Sequence, residues 1–214
     1  EMTDIDNAPD PSAKAFNWRD ARKVTAIKNQ SSCGSCWAFT SCAALESNLM
    51  IRQNSTLDLS EQYILDCAQA NGQDAGTYGG GWYGTVYEFL KTNGAKLENQ
   101  YPYQNRDMNC PRNRQATNYK VVAWGYVRPD AGIPSKEEMK KALCKYGPLA
   151  ACVKVTEALQ AYKSGIFDEF CQTSGERDIN HAIVIVGWDD NKQAYLVKNS
   201  WSPQWGENGY VWVK

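Results

Sequence analysis

The 214-residue sequence contains a single histidine, His181. Any reaction that needs an imidazole must therefore run through that one side chain. Zinc sites need more than this chain offers, because Cys33-Gly34-Ser35-Cys36 has no second Cys-x-x-Cys and no histidine pair to complete it. Charge of one sign is also lacking. With 23 basic and 24 acidic residues the net charge is -1, which gives no electrostatic case for nucleic acid or an anionic membrane. No apolar run approaches the ~20 residues of a membrane-spanning helix. Internal repeats and low-complexity tracts are missing too. The start, Glu1 to Ala15, is acidic and proline-containing, unlike the basic-then-apolar opening of a signal peptide. If the protein is exported, its targeting segment is expected to have gone already.

What is present in quantity is cysteine, glycine and aromatic surface. Eight cysteines and sixteen glycines point to an oxidising compartment. Eight tryptophans and twelve tyrosines suit a large packed interior or a groove for extended apolar ligands. The length holds one large domain or two smaller lobes. Glu1 to Ala15 reads as an irregular arm, with Phe16-Asn17-Trp18-Arg19 the first ordered stretch. Helices are expected from Cys36 to about Asn54, from Leu59 to Cys67 behind a serine cap, and from Thr85 to Thr92, closed by Asn93-Gly94. Asn71 to Gly84 is glycine-rich and reads as loop. Val121 to Trp124 reads as strand. Ser135 to Tyr146 carries a capping box with Glu138. Strands should follow at Leu149–Val155, His181–Trp188, Ala194–Lys198 and Gly209–Val213. Helices first and strands second argue for an α+β fold with two lobes.

Cys36 stands where a small polar loop, Gln30 to Ser35, gives way to an apolar helical pattern. A thiol in the first turn of such a helix faces unpaired backbone N–H groups and the positive end of the dipole, both of which favour thiolate, the nucleophilic form. Three competing readings stand beside this one: an inert buried cysteine, a redox Cys-x-x-Cys, and half a zinc site. A cysteine nucleophile needs a base, and the base needs a group to orient its ring. His181 opens a buried apolar strand, and Asn199 closes the next one. Gln30, six residues before Cys36, can add an amide donor to the Cys36 backbone N–H and stabilise an oxyanion.

The segment Gln30-Ser-Ser-Cys-Gly-Ser-Cys36-Trp-Ala-Phe39 resembles the active-site signature of papain-like cysteine peptidases. That family places histidine and asparagine about 130–150 residues downstream; here His181 lies 145 residues on and Asn199 lies 163 on, somewhat beyond. The likeness continues through Leu65-Asp66-Cys67, Gly80-Gly81, Tyr101-Pro102-Tyr103, Gly165-Ile166-Phe167, Asn180-His181-Ala182, Lys198-Asn199-Ser200-Trp201 and Trp205-Gly206-Glu207-Asn208-Gly209-Tyr210. It implies a papain-like two-lobed α+β fold over 1–214. The helical lobe would span about 21–125, and a β-barrel-like lobe about 126–214 with the arm 1–20, leaving a cleft between. It also implies Cys36 as nucleophile, His181 as base and then acid, Asn199 as orienter and Gln30 as oxyanion donor, with Trp201 shielding the His181–Asn199 hydrogen bond. The thiol and imidazole form an ion pair in this family. No cofactor is implied. The implied partners are peptide or protein substrates, an inhibitory propeptide of a zymogen and cystatin-like inhibitors, with the enzyme a monomer that is secreted, lysosomal or vacuolar. Rival classes are a non-catalytic binding protein of the same fold, and an acyltransferase or ligase. The redox reading weakens because Trp37 follows the motif instead of preceding it and no thioredoxin-like βαβ pattern surrounds it.

The resemblance also implies a Cys67–Cys110 disulfide. It breaks down at Cys33, whose usual partner position holds Tyr78, and at Cys171, whose partner in relatives lies in a tail beyond Lys214. Setting aside Cys36 and the expected pair leaves five cysteines, an odd number, whose connectivity the spacing does not give. Substrate is expected to pair with backbone at Gly80-Gly81. The pocket for the second residue before the scissile bond would be walled by Trp82, Tyr83, Cys152, Ile179 and Ala182, with Asn180 and Trp201 nearby. These walls carry no charge, so an apolar side chain should be favoured over arginine. For Tyr83 an ordinary core role is an equal alternative. Two sequons, at Asn29 and Asn54, complete the sequence reading. Asn29 adjoins Gln30, so glycopeptide mapping of active protein from a secreting eukaryote should find sugar on Asn54 and none on Asn29.

Overall fold

The computed structural model describes residues 4–70, 73–74, 76–77, 80–111, 117–169 and 178–214. Tyr78 and Cys171 lie outside them. Strands are β1 (Ala15–Asn17), β2 (Gln69–Ala70), β3 (Gln73–Asp74), β4 (Gly76–Thr77), β5 (Gly80–Gly81), β6 (Leu149–Val153), β7 (Ile166–Phe167), β8 (His181–Asp189), β9 (Ala194–Lys198) and β10 (Tyr210–Val213). Helices are α1 (Cys36–Gln53), α2 (Glu61–Cys67), α3 (Tyr83–Asn93), α4 (Lys136–Tyr146) and α5 (Glu157–Gln160). Four helices, α1–α4, precede β6–β10 in the chain, as the α+β reading expects, while β1, before them all, joins the same sheet.

The expected caps are in place. Ser60 accepts from the Tyr63 N–H at the start of α2. Ser135 and Glu138 form the reciprocal capping box of α4. Asn54 ends α1 in the left-handed conformation, with its N–H on the Leu49 carbonyl; its side chain is exposed.

One sheet of six strands dominates the second half. Strand β8 is its spine: β9 pairs along one edge, while β6 and β1 share the other, against His181–Ile185 and Gly187–Asp189 respectively. The order continues through β10 to β7, which runs parallel to it. Among the described residues this pairing does not close on itself. Gly187 is required where β1 crosses, since a Cβ there would stand 2.3 Å from the Phe16 carbonyl oxygen. A register shift between Ile185 and Gly187 marks the same crossing.

Several expectations need correction. Val121 to Trp124 forms no strand. Val122 is 83% exposed, while Trp124 turns onto α3, donating to Glu88 across 2.6 Å and packing on Tyr87. The β-branched pair favours extended backbone, but no neighbouring strand supplies a ladder. The stretch from Asn71 to Gly84 is not wholly loop, because it contains β3, β4 and β5 and the first turn of α3, which begins two residues early. Among the described residues the arm is irregular from Asp4 to Lys14, and Ala15 already belongs to β1. It is firmly attached: Ile5 is buried, the Ala13 carbonyl accepts from Trp188 Nε1, and the Lys14 carbonyl accepts from the Asp190 N–H. Helix α5 and strand β7 are too short for a periodic pattern to reveal.

Helices α1, α2 and α3 pack around Trp37, Tyr63, Leu90 and their neighbours, and this core reaches across to Ala182 and Cys152 of the sheet. Cys67 and Cys110 form a disulfide that closes a separation of 43 residues. Constraining a loop of that length in the unfolded chain contributes about 4 kcal/mol.

Between α1 and the sheet lies a buried ionic cluster. The Lys28 ammonium meets Glu46 at 3.0 Å, Glu61 at 2.7 Å and the more exposed Asp58 at 2.6 Å. Burial opposes its charge, but Glu61 and Glu46 override that and hold its pKa above the ordinary lysine range. One cation cannot serve two buried carboxylates fully. Burial, with repulsion from Glu46 added, pushes Glu61 up to about 8 against the pull of Lys28. Replacing Lys28 by Met leaves both carboxylates inside without this partner, and urea unfolding should show a loss of about 3–5 kcal/mol. A loss below about 1 kcal/mol would mean that the cluster behaves like a surface pair.

Candidate active site

Helix α1 begins at Cys36, and its N-cap, Ser35, does not cap it. The Ser35 hydroxyl is instead hydrogen-bonded to the Tyr103 hydroxyl at 2.7 Å. The first-turn backbone of Cys36 and Trp37 favours the thiolate. A hydrogen-bond donor to the thiol comes from the sheet, as the Ala182 N–H reaches Sγ across 3.4 Å.

His181 and Asn199 are brought together from adjacent strands. His181 Nε2 and Asn199 Oδ1 are 2.8 Å apart and buried. The direction of this bond follows from a second one. The Ser200 backbone N–H, which can only donate, also lies 2.8 Å from Asn199 Oδ1. That atom is therefore an acceptor, and Nε2 must carry the proton. Nδ1 is left as the ring nitrogen able to take another. The Trp201 ring stacks on His181 at 4.7 Å, and Trp205 packs edge-on behind it at 5.1 Å. Together they cover the imidazole.

Gln30 is fixed at both ends of its amide. Oε1 accepts from the Ser200 hydroxyl at 2.6 Å, and Nε2 donates to the Cys33 carbonyl at 2.9 Å. One Nε2 hydrogen remains for another acceptor. The Tyr103 hydroxyl donates to the Gln30 carbonyl, which fixes the backbone as well.

Electrostatics correct one expectation. Burial pushes the Cys36 thiol up, and the backbone donors around it offset only part of this. Burial likewise lowers His181, with the Asn199 hydrogen bond pulling the other way. A helix N-terminus alone does not make Cys36 a thiolate here. Each group by itself favours its neutral form, so charge separation depends on their mutual attraction.

Of the expected pocket residues, Ala182 and its register partner Cys152 adjoin this centre. Gly80 and Gly81 are exposed and pair with β4 along one edge; among the described residues no strand takes the other edge, which leaves it open to an extended peptide. Trp82 stacks on Tyr83 at 4.4 Å. Tyr83 and Cys152 are close enough to influence each other's titration, and burial raises both. Cys152 stands opposite Ala182 in the β6–β8 register. Ile179 is 40% exposed. Asn180 differs from the rest: its side chain is engaged in accepting from the Val155 N–H at 2.8 Å, so it ties the end of β6 to β8. Ser200 and Tyr103, which position Gln30 and Ser35, were given no role in the sequence reading, although both lie inside motifs that carried the resemblance.

Residues 12–214 match the family model for papain family cysteine proteases. The chain belongs to that family. It is 35% identical to ananain of Ananas comosus over 212 residues, 97% of this chain and 56% of that protein. It is also 35% identical to the viral cathepsin of Heliothis zea nuclear polyhedrosis virus, over 93% of this chain and 52% of that one. The chain spans about half the length of the curated relatives it matches. A solved structure of the bromelain protease from Ananas comosus, in complex with the E64 inhibitor, superposes with a TM-score of 0.81 at 34% identity, covering 94% of this chain and 89% of that one. The papain-like α+β fold is thereby shown for this chain.

The burial argument gives a direct test. In His181→Ala the Cys36 thiol loses its only imidazole partner. Its alkylation by iodoacetamide should then rise only at alkaline pH, with a midpoint above the ordinary thiol range. The unaltered protein should already react across a neutral plateau. Identical profiles would show that the backbone donors, not His181, set the state of the thiol.

Proposed function

We propose that the chain is a cysteine endopeptidase that hydrolyses peptide bonds through a thioester acyl-enzyme. What supports this reading is that the Cys36 sulfur accepts from the N–H of Ala182, the residue after His181, whose Nε2 lies 2.8 Å from Asn199 Oδ1. The Cys36 sulfur attacks the scissile carbonyl carbon while its proton resides on His181 Nδ1. The carbonyl oxygen becomes an oxyanion, held by the Cys36 N–H and the remaining Gln30 Nε2 hydrogen. His181 then gives its proton to the leaving amine, and the C–N bond breaks to leave the thioester. Water, deprotonated by the same ring, attacks the thioester, and the thiol leaves with the proton. Asn199 holds the ring in place throughout, and Trp201 keeps water from the bond between them. The two lobes divide near residue 125 in this reading, and the cleft runs between them.

Substrates are extended peptides, paired with the free edge at Gly80-Gly81. Their second residue before the scissile bond enters the uncharged pocket of Trp82, Tyr83, Cys152, Ile179 and Ala182. Burying one Val- or Leu-sized side chain there is worth about 1.5–3 kcal/mol. A propeptide and cystatin-like inhibitors would occupy the same cleft of a monomeric enzyme. The disulfide supports a secreted, lysosomal or vacuolar setting.

Peptide-library cleavage should show Val or Leu ahead of Arg at that position and no turnover by Cys36→Ala. The kcat/KM profile should be bell-shaped, its limbs belonging to the coupled thiol and imidazole. A rate that climbs steadily into alkali, or an epoxysuccinyl reagent that leaves Cys36 unlabelled, would sink the reading.

A further inference from the structure

The two indoles that cover His181 are themselves only half-buried. The turn from Ser202 to Gly209, which carries Trp205 and follows Trp201, is also demanding. Ser202, Gly206, Asn208 and Gly209 all take positive φ, at 74°, 56°, 54° and 88°. Residues in such conformations, the two non-glycines above all, persist only where the surrounding structure determines them. What borders this turn is a segment that the proposed reaction does not use, running from α5 to β7.

Tyr162, two residues past the end of α5, lies against the turn and is only 7% exposed. Its ring packs on Trp205 at 5.6 Å between centroids and edge-on against Phe167 of β7 at 6.2 Å. Gly206 permits the close approach, since a Cβ there would stand 3.1 Å from two carbons of the Tyr162 ring. The Tyr162 hydroxyl lies 2.6 Å from the Gly165 carbonyl oxygen and 3.1 Å from Glu207 Oε1, so its one hydrogen serves both. Glu207 Oε1 also accepts from the Gly165 N–H at 2.7 Å, which ties the turn to the residue before β7. Burial and the Glu207 carboxylate push the phenol up to about 12, so it stays a donor through the neutral range. The end of α5 grips Trp205 a second time, because the indole N–H donates to the Gln160 carbonyl at 3.1 Å.

Trp205 is thus held on its ring and at its N–H. It meets Trp201 edge-on at 5.1 Å, and Trp201 stacks on His181 with the planes 28° apart. We propose that Tyr162 is a positioning residue: through Trp205 it holds Trp201 over His181 and so keeps water from the His181–Asn199 hydrogen bond. The inference rests on the role given to Trp201 in the peptidase reading and deepens it, by naming what keeps that indole in place. Aromatic contacts are directional. An aliphatic side chain at 162 would fill part of the space but leave Trp205 without its tilted partner and Glu207 without its phenol.

Because the chain has one histidine, labelling histidine with nitrogen-15 gives a single imidazole to observe by NMR. Exchange of its Nε2 proton with water, at one neutral pH, reads the cover directly and needs no turnover. Trp201→Ala sets the scale and should speed exchange most. Tyr162→Leu should speed it by about tenfold, the scale of losing one aromatic contact read as local opening. Tyr162→Phe keeps the ring and loses the hydroxyl; it serves if the leucine variant does not fold, and should speed exchange by about threefold. Exchange unchanged in the folded Tyr162 variants overturns the proposal. So does a lowered melting temperature with unchanged exchange, which would assign Tyr162 to folding alone. Exchange unchanged in Trp201→Ala overturns it too, since Trp201 would then shield nothing. Faster exchange in the variants of a protein that cleaves no peptide would sink the peptidase reading and leave the positioning role standing.

Discussion

One buried ammonium, that of Lys28, underlies the geometry of the cleft. It lies two residues before Gln30 and binds Glu46 from the interior of the helix that begins at Cys36. It also binds Glu61 at the first position of α2. Close by, Lys198, the residue before Asn199, donates to the Thr25 carbonyl and hydroxyl, and Thr25 in turn bonds Glu46. Every segment carrying a reacting group except β8 thus has a neighbour in this network. A cavity of about 20 Å³ links the two regions, with Lys28, Glu46, Lys198, Asn199 and Ser200 on its walls. Salt bridges of this kind contribute little net stability against a well-packed apolar alternative, because desolvation consumes most of the attraction. Their directional demand is strict, however. A carboxylate that must find one ammonium fixes the axial position of α1 against the sheet more narrowly than aliphatic packing would.

Burial has opposite consequences in the network and in the cleft. Lys198, buried without a carboxylate in direct contact, is pushed down to about 8 despite the pull of Glu46. Folding therefore costs most below that pH, where its charge must be buried, and the cost is relieved as pH rises from about 8 toward its ordinary value of 10.5. Glu61 acts in the other sense: its folded pKa is raised, so its contribution is full below its ordinary 4.5 and is lost as pH rises through about 8. The two windows meet near pH 8: stability falls toward that pH through Glu61 and rises beyond it through Lys198. In the cleft, the same desolvation raises Cys36 and lowers His181. The low dielectric of a buried site also strengthens any attraction between the two groups once a proton has moved. The cleft thus gains in reactivity from the desolvation that costs stability in the network.

The sequence made the elements of the candidate site legible because local signals and long-range packing agreed. The loop-to-helix change at Cys36, the apolar run after His181 and the serine caps at Ser60 and Ser135 each say in a few residues what the fold then requires. Where the two disagreed the sequence misled. Val121 and Val122 carry strand-like side chains but have no neighbour to pair with, and only the position of α3 decides that. Gly80 and Gly81 read as loop from composition, and the single open edge they present exists only because β4 lies on the other side. Asn199 lies slightly beyond the usual spacing, yet the antiparallel pairing of β8 with β9 still brings its amide within 2.8 Å of His181.

The cysteines show how much of the chemistry is context. Among the described residues Cys33, Cys36, Cys42, Cys144 and Cys152 are unpaired thiols, so composition alone offers five candidates for one nucleophile. Cys33 and Cys42 are sealed in the helical core. Burial raises Cys42 well above the usual range, and Cys144 and Cys152 to about 11. It raises Cys36 as well, so desolvation does not single out the reactive thiol. What differs is the surroundings: Cys42 sits near the carboxylates of Glu61 and Glu46, and Cys152 faces a phenol. Cys36 lies in the cleft beside the strand that carries the only imidazole in the chain. A nucleophile that depends on one neighbouring base is silent until that base is in place. The scarcity of histidine thus serves selectivity: with four further thiols in the same fold, a second imidazole near any of them would have supplied a second reactive centre.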